Sequence, residues 1–285
     1  MIKRTGLYPS VFVSGSDWMS AFLNQVQLTF KWAIKDRVFY AVIGVSVGML
    51  LLIPALSSFS MRQVQELSIT LSLSLISLML VVMAVLLGTS ALWREIEKRY
   101  IISVLSLPIS RSAYLLGKFT GVVLILVACA MILGLIASLL VLIASSTYPA
   151  QNPILWFNFV AAIFFELLKS IIVAAVALAF TSVATTFYLP FFGAFGIYIA
   201  GNASQEVYDY ISSEYGDSFP TLAKAITEFF YYVIPNFSAF DLKVYAIYSL
   251  PLPAKGLLLT ITYFLLYSSV LVGIALFCFN RRQRI

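Results

Sequence analysis

Trp93-Arg-Glu-Ile-Glu-Lys-Arg-Tyr-Ile-Ile-Ser-Val-Leu-Ser-Leu-Pro-Ile-Ser-Arg-Ser-Ala-Tyr-Leu-Leu-Gly-Lys118 is the densest charge cluster of the chain, and it joins two long apolar runs. The run before it, Thr70–Trp93, is uncharged throughout. The run after it, Ser112–Ser145, is longer than one bilayer crossing needs, so it should tilt or project. About 20 apolar residues suffice to cross the hydrocarbon core as a helix. Two such helices joined by charge describe a membrane protein that presents one loop to a partner.

Composition agrees. Of 285 residues, 61% are apolar and 11% charged, against about 45–50% and about 25% in soluble domains. Most of the chain is therefore solvated by lipid. The net charge of +6 flanks the apolar runs instead of forming a patch, so no nucleic-acid partner is implied. There is no histidine, which removes imidazole metal sites and Ser-His or Cys-His catalysis. Cys129 and Cys278 both lie inside apolar runs and read as small buried hydrophobes. No metal site and no catalytic residue is expected. The basic start Met1-Ile-Lys-Arg4 leads into a run broken by Pro9, too short for a cleavable signal.

These runs predict an all-α integral membrane protein with six transmembrane helices. Residues 17–37 repeat apolar Trp18, Phe22, Val26, Phe30 and Ala33 at helical spacing among polar residues, the pattern of an amphipathic helix in the membrane interface. The spans are 38–57, 70–93, 112–145, 154–184, 189–203 and 254–279. The fifth is the shortest and is interrupted by Gly193, Gly196 and Gly201.

Lys and Arg orient the bundle. The first 37 residues hold five, 94–118 holds five and the tail after Phe279 holds three. The segment 204–253 has two, against six acidic residues. Retention of Lys and Arg in the cytoplasm places both termini and the 94–111 loop inside, in a cytoplasmic (inner) membrane, and 204–253 outside. That outer segment carries a helical pattern over Pro220–Ile234, stopped by Pro235, and predicts short outer helices dipping partway into the outer leaflet between spans five and six.

Gly117-Lys118 invites a phosphate-loop reading and fails it. The glycine five residues earlier is replaced by Ser112, and Phe119 stands where Ser or Thr is needed. ATP, if used, is hydrolysed on another chain. Within the 94–111 loop, Ile96, Tyr100, Val104 and Leu105 share a helical face, while Arg94, Glu95, Glu97, Lys98 and Arg99 crowd the others. An amphipathic helix of this kind fits a partner's groove.

Glu95-Ile-Glu-Lys-Arg99, Leu105-Ser-Leu-Pro-Ile-Ser-Arg111 and Tyr114-Leu-Leu-Gly-Lys118 resemble the ABC-2 type permeases, nearest the branch labelled as involved in multicopper enzyme maturation. The resemblance implies a dimer of permeases, with a second copy or a paralogue, each touching an ATP-binding cassette ATPase subunit. It implies no cofactor on this chain, with ATP and Mg on the partner. It assigns ATPase coupling to Glu95, Ile96, Glu97, Arg99, Tyr100 and Arg111, although Arg99-Tyr100 departs from the family's usual residues. It also implies that span one meets span five of the second permease, with Gly44, Gly48, Gly193 and Gly196 in that seam.

Glu166 and Lys169 lie three apart on span four, a spacing that lets them pair on one helix face. A lone charge at mid-bilayer costs about 2.5–3.5 kcal/mol on insertion scales. They either line a translocation path or form a self-neutralised pair that holds helices together. Three functions remain: the permease subunit of an ATP-driven exporter or extractor, an ion-coupled secondary transporter using Glu166, and a membrane scaffold without transport. An apolar surface of this kind suits lipid-linked, peptide, drug and metal-related cargoes alike.

Overall fold

Among the described residues the long apolar runs are helical, and every regular element is a helix. The computed structural model describes residues 15–59, 63–98, 110–147, 153–213 and 220–281. The first helix, α1 (Gly15–Ile34), ends at Lys35. Asp36 then caps α2 (Arg37–Leu51), its carboxylate accepting from the Val38 amide at 3.0 Å. Pro54 sits in the first turn of α3 (Ile53–Ser58), where its missing N–H is tolerated. It explains why the span beginning at Arg37 is broken at Leu52. Then follow α4 (Val64–Glu97), α5 (Arg111–Thr147), α6 (Trp156–Val183), α7 (Tyr188–Ser212), α8 (Thr221–Val233), a short 3-10 turn at Ser238–Phe240, α9 (Lys243–Ile247) and α10 (Ala254–Arg281).

The core is the α4–α6 pair, with α5, α7 and α10 also packed on α6. Small residues set the approach. A Cβ on Gly88 of α4 would lie 2.9 Å from both the Ala174 carbonyl oxygen and the Ala177 Cβ of α6. Without a hydrophobic driving force in lipid, such close contact between backbones is what holds spans together. The same device seats α1 on α5. A Cβ on Gly117 would meet the Gln25 Cβ at 2.7 Å, and one on Gly121 would meet the Thr29 Cβ at 2.6 Å. Val26, Thr29 and Ala33 of α1 are accordingly buried, while Leu23, Gln27, Leu28 and Lys31 face outward. Most of α2 and α10 stays uncovered and apolar, as lipid-facing helices should be.

Several features differ from the sequence-based picture. Arg94 to Glu97 do not open a separate loop helix: they continue α4, because nothing between Trp93 and Glu97 breaks it. The short fifth span, 189–203, is the first part of a 25-residue helix, α7, which runs on to Ser212. Among the described residues, five helical stretches are long and apolar enough to cross a membrane, Arg37–Ser58, Val64–Glu97, Arg111–Ser146, Trp156–Val183 and Ala254–Arg281. The helix α7 is not among them, since Gly201, Asn202 and Gln205 dilute its second half. Finally, the chain after α8 turns back into the bundle. Phe237, Phe240, Leu242 and Ala246 are buried, and the 3-10 turn and α9 pack on α6.

The glycine contacts predict a contrast. Gly88→Ala should lower stability by about 1–3 kcal/mol, the range for overpacking a filled site, because the obstruction is backbone that cannot swing away. Gly48 has nothing within 4 Å of its missing Cβ, so Gly48→Ala should leave the melting temperature of the detergent-solubilised single chain unchanged. Equal effects of the two substitutions would contradict this packing.

Candidate functional site

Two constellations of charge stand out, one at each level of the bundle. The first ties the ends of α4 and α5. Glu95, on the last turn of α4, accepts from the Tyr114 hydroxyl and the Lys118 ammonium, both on the first turns of α5. Lys118 and Tyr114 are buried, and Tyr114 stacks on Phe279 of α10 with centroids 5.9 Å apart. Leu92, Leu115, Leu178 and Phe279 complete a small apolar cluster there, with Ile96 packed against it. Beside Glu95, on another face of the same helix turn, Arg94 donates to Asp36 at 2.5 Å and lies 4.4 Å over the Trp32 ring. Arg111 donates to the Asn280 carbonyl at 3.2 Å. The hinge between α1 and α2, the end of α4, the start of α5 and the end of α10 are therefore fastened together.

The residues assigned to ATPase coupling separate on this geometry. Glu95 and Ile96 turn into the chain itself, and the Arg111 guanidinium bonds to the end of α10. Glu97 is exposed. Arg99 and Tyr100 lie outside the described residues. Neither Tyr114 nor Lys118 stands out in the sequence as a partner of Glu95, although positions 95, 114 and 118 fall at facing ends of successive helices.

The second constellation is buried. Glu166 lies about 15 Å along α6 from Trp156, at 1.5 Å per residue, and is 1% exposed. Lys169, 2% exposed, pairs with it at 2.5 Å and donates to the Ser77 hydroxyl of α4 at 3.1 Å. Lys243 approaches the other Glu166 oxygen at 3.8 Å and its own neighbour Asp241 at 3.6 Å. Neither Glu166 oxygen accepts a hydrogen bond, so the compensation is ionic. Lys243 stands 77 positions beyond Glu166 and no spacing rule links them. The available signal was the lone Asp241-Leu-Lys243 triplet inside an otherwise acidic and aromatic segment.

The returning segment, 235–250, brings Lys243 there. Its backbone groups must find partners within the protein, since lipid offers none. The Phe237 amide donates to the Gly201 carbonyl at 3.1 Å and the Ser238 hydroxyl to the Asn202 carbonyl at 3.0 Å. The buried Asn158 amide donates to the carbonyls of Tyr245 and Leu250 at 2.9 and 2.8 Å. Gly201 is obligatory here: a Cβ would collide with the Pro235 carbonyl and lie 2.5 Å from the Phe237 ring.

The four glycines expected at a permease seam also divide. Gly44, Gly48 and Gly196 have nothing within 4 Å of a built Cβ, whereas Gly193 already packs on the Phe180 ring at 3.3 Å. No group of three metal-ligating side chains occurs among the described residues.

The family model described as ABC-2 family transporter protein matches residues 11–284, and the chain belongs to that family. No curated protein matches it. The chain is thus a multi-pass membrane component of an ABC transporter system.

The buried pair makes a thermodynamic prediction. Glu166→Gln leaves the Lys169 ammonium buried without its nearest counter-ion, and breaking one side of a buried pair costs about 3–5 kcal/mol. Adding Lys169→Met removes that charge and should recover most of the loss. Unfolding in mild detergent would measure both; a double mutant less stable than the single one would rule the account out.

Proposed function

We propose that this ABC-2 family chain is the permease subunit of an exporter or extractor of the cytoplasmic membrane, driven by a separate ATP-binding cassette ATPase that holds ATP and Mg. The family match over nearly the whole chain carries the reading. The lack of a phosphate loop in the sequence puts hydrolysis on the partner.

The topology is six spans with both termini cytoplasmic. Asp36, at the entrance to the first span, pairs with Arg94, and Asn280, at the exit of the last, bonds to Arg111. Entrance and exit on one side need an even number of crossings, so α7 has to be added to the five apolar spans. Its course supports this: Phe187, just before its start, shares a small pocket with Asp36 and Arg94, while Gly201, in its middle, already touches Phe237 of the returning segment. At 1.5 Å per residue its 25 residues reach about 37 Å, enough for a core about 30 Å thick. The Lys/Arg-rich side is then the cytoplasmic one.

On this side the ATPase meets Glu97 with the loop that follows it, and the outward face of α1. The second permease packs on the bare ridge of Gly44 and Gly48 and on Gly196. A residue on a path between two permeases is uncovered in one chain alone; Glu166 and Lys169 are not, which favours an internal role for the pair. Ion coupling through Glu166 would require water access to a carboxylate that is enclosed and matched by two lysines.

Coupling and topology are tested separately. Glu97→Lys should reduce co-purification of the ATPase several-fold and leave membrane insertion intact, while Glu95→Lys should lower the stability of the permease itself by breaking its bonds to Tyr114 and Lys118. Undiminished ATPase binding by Glu97→Lys would remove that residue from the interface. For topology, an impermeant thiol reagent applied to intact cells should label Ser213→Cys and spare Lys98→Cys. Labelling of both, or of neither, would overturn six crossings.

A further inference from the structure

We propose that Lys243 is a positioning residue: its ion pair with Glu166 seats the re-entrant segment 235–250 in the outer half of the bundle, and the segment withdraws as a unit when that pair is broken. The charges are arranged for this. Lys169 and Glu166, on α6, neutralise each other at 2.5 Å. Lys243 and Asp241, on the segment, do the same at 3.6 Å. Each half is balanced by itself, so withdrawal strands no net charge on either side. A segment meant to stay would gain from an unbalanced cation against a bare carboxylate, where separation would cost several kcal/mol. The ionic link between the halves is the loose Lys243–Glu166 contact of 3.8 Å, and the Lys243 side chain keeps 22% of its surface exposed.

The segment's other fastenings lie towards its two ends: the Phe237 amide and Ser238 hydroxyl donate to the Gly201 and Asn202 carbonyls, and the Ser249 hydroxyl donates to the Pro153 carbonyl. The segment's apolar anchors, Phe237, Phe240, Leu242 and Ala246, are buried against the bundle. The Tyr245 and Leu250 carbonyls are held at the outer rim by one side chain, Asn158. Among the described residues of the segment, Lys243 is the one whose charged group meets Glu166. The neighbouring charged and titratable groups are accounted for: Lys169 also bonds to Ser77 and lies 6.0 Å from the Tyr198 ring, while Asp241 is exposed at the rim. That withdrawal serves passage of a substrate rests on the permease reading above, but the latch can be read without any transport assay.

The test uses the full chain in lipid nanodiscs with Ala246→Cys as the reporter. Ala246 lies on α9 and is 2% exposed. Cys278 is replaced by Ser, and the buried Cys129 is kept as a monitor of the bundle. The probe is a charged, impermeant maleimide, with sites resolved by peptide mapping. Lys243→Met should raise the labelling rate at position 246 by about tenfold, the change that corresponds to about 1.4 kcal/mol. Cys129 should stay unlabelled. Lys243→Arg should return the rate to that of the parent, and Lys255→Met, an exposed lysine at the start of α10, should leave it unchanged. An unaltered rate in Lys243→Met overturns the proposal. So does labelling of Cys129 in step with position 246, which would mean that the pair holds the whole bundle. Labelling of Lys243→Arg as fast as Lys243→Met would overturn it as well.

Discussion

A carboxylate removed from water has to be matched where it stands, and Glu166 is matched from two directions. That requirement organises the centre of the molecule. It fixes Lys169 one turn along the same helix, and through Lys169 it draws in Ser77, which ties α6 to α4 by a polar contact inside the apolar core. It also gives the returning segment a reason to descend beside α6 instead of remaining at the surface. The segment's burial then creates secondary demands. Gly201 must lack a side chain, and Asn158 must turn its amide to two carbonyls that lipid would leave bare.

The rest of the bundle is held by shape. Gly88 lets α4 and α6 meet at backbone distance, and Gly117 with Gly121 lets α1 lie against α5. These contacts use glycine for close approach, with no need of unusual backbone angles: no glycine among the described residues has a positive φ. By contrast the ridge of Gly44 and Gly48 is open. The molecule thus has closed glycine contacts that build one chain and an open set on its outside.

The helices were largely legible because apolar runs long enough to cross a bilayer have few alternatives. The run expected over Pro220–Ile234 forms α8 at Thr221–Val233, where proline punctuates both ends. Two things were hidden. The inward turn of 235–250 has no periodicity of its own, being a 3-10 turn and a five-residue helix held by distant side chains. The roles of Glu95 and Glu166 were hidden for a related reason. Periodicity reports neighbours on one helix, such as Lys169, but not a lysine on another element, such as Lys118 or Lys243. Charge density marked Glu95 and Glu97 as equivalent, and only packing separates the one turned inward from the one turned out.

The fastening of Glu95 to Tyr114 and Lys118 has a mechanical meaning. The chain between the end of α4 and the start of α5 emerges from two points that are clamped together and braced from behind by Phe279. Were a partner to pull on residues 99–109, the two clamped ends would move together, and the backbone contact of α4 with α6 beside Gly88 would carry the displacement into the core.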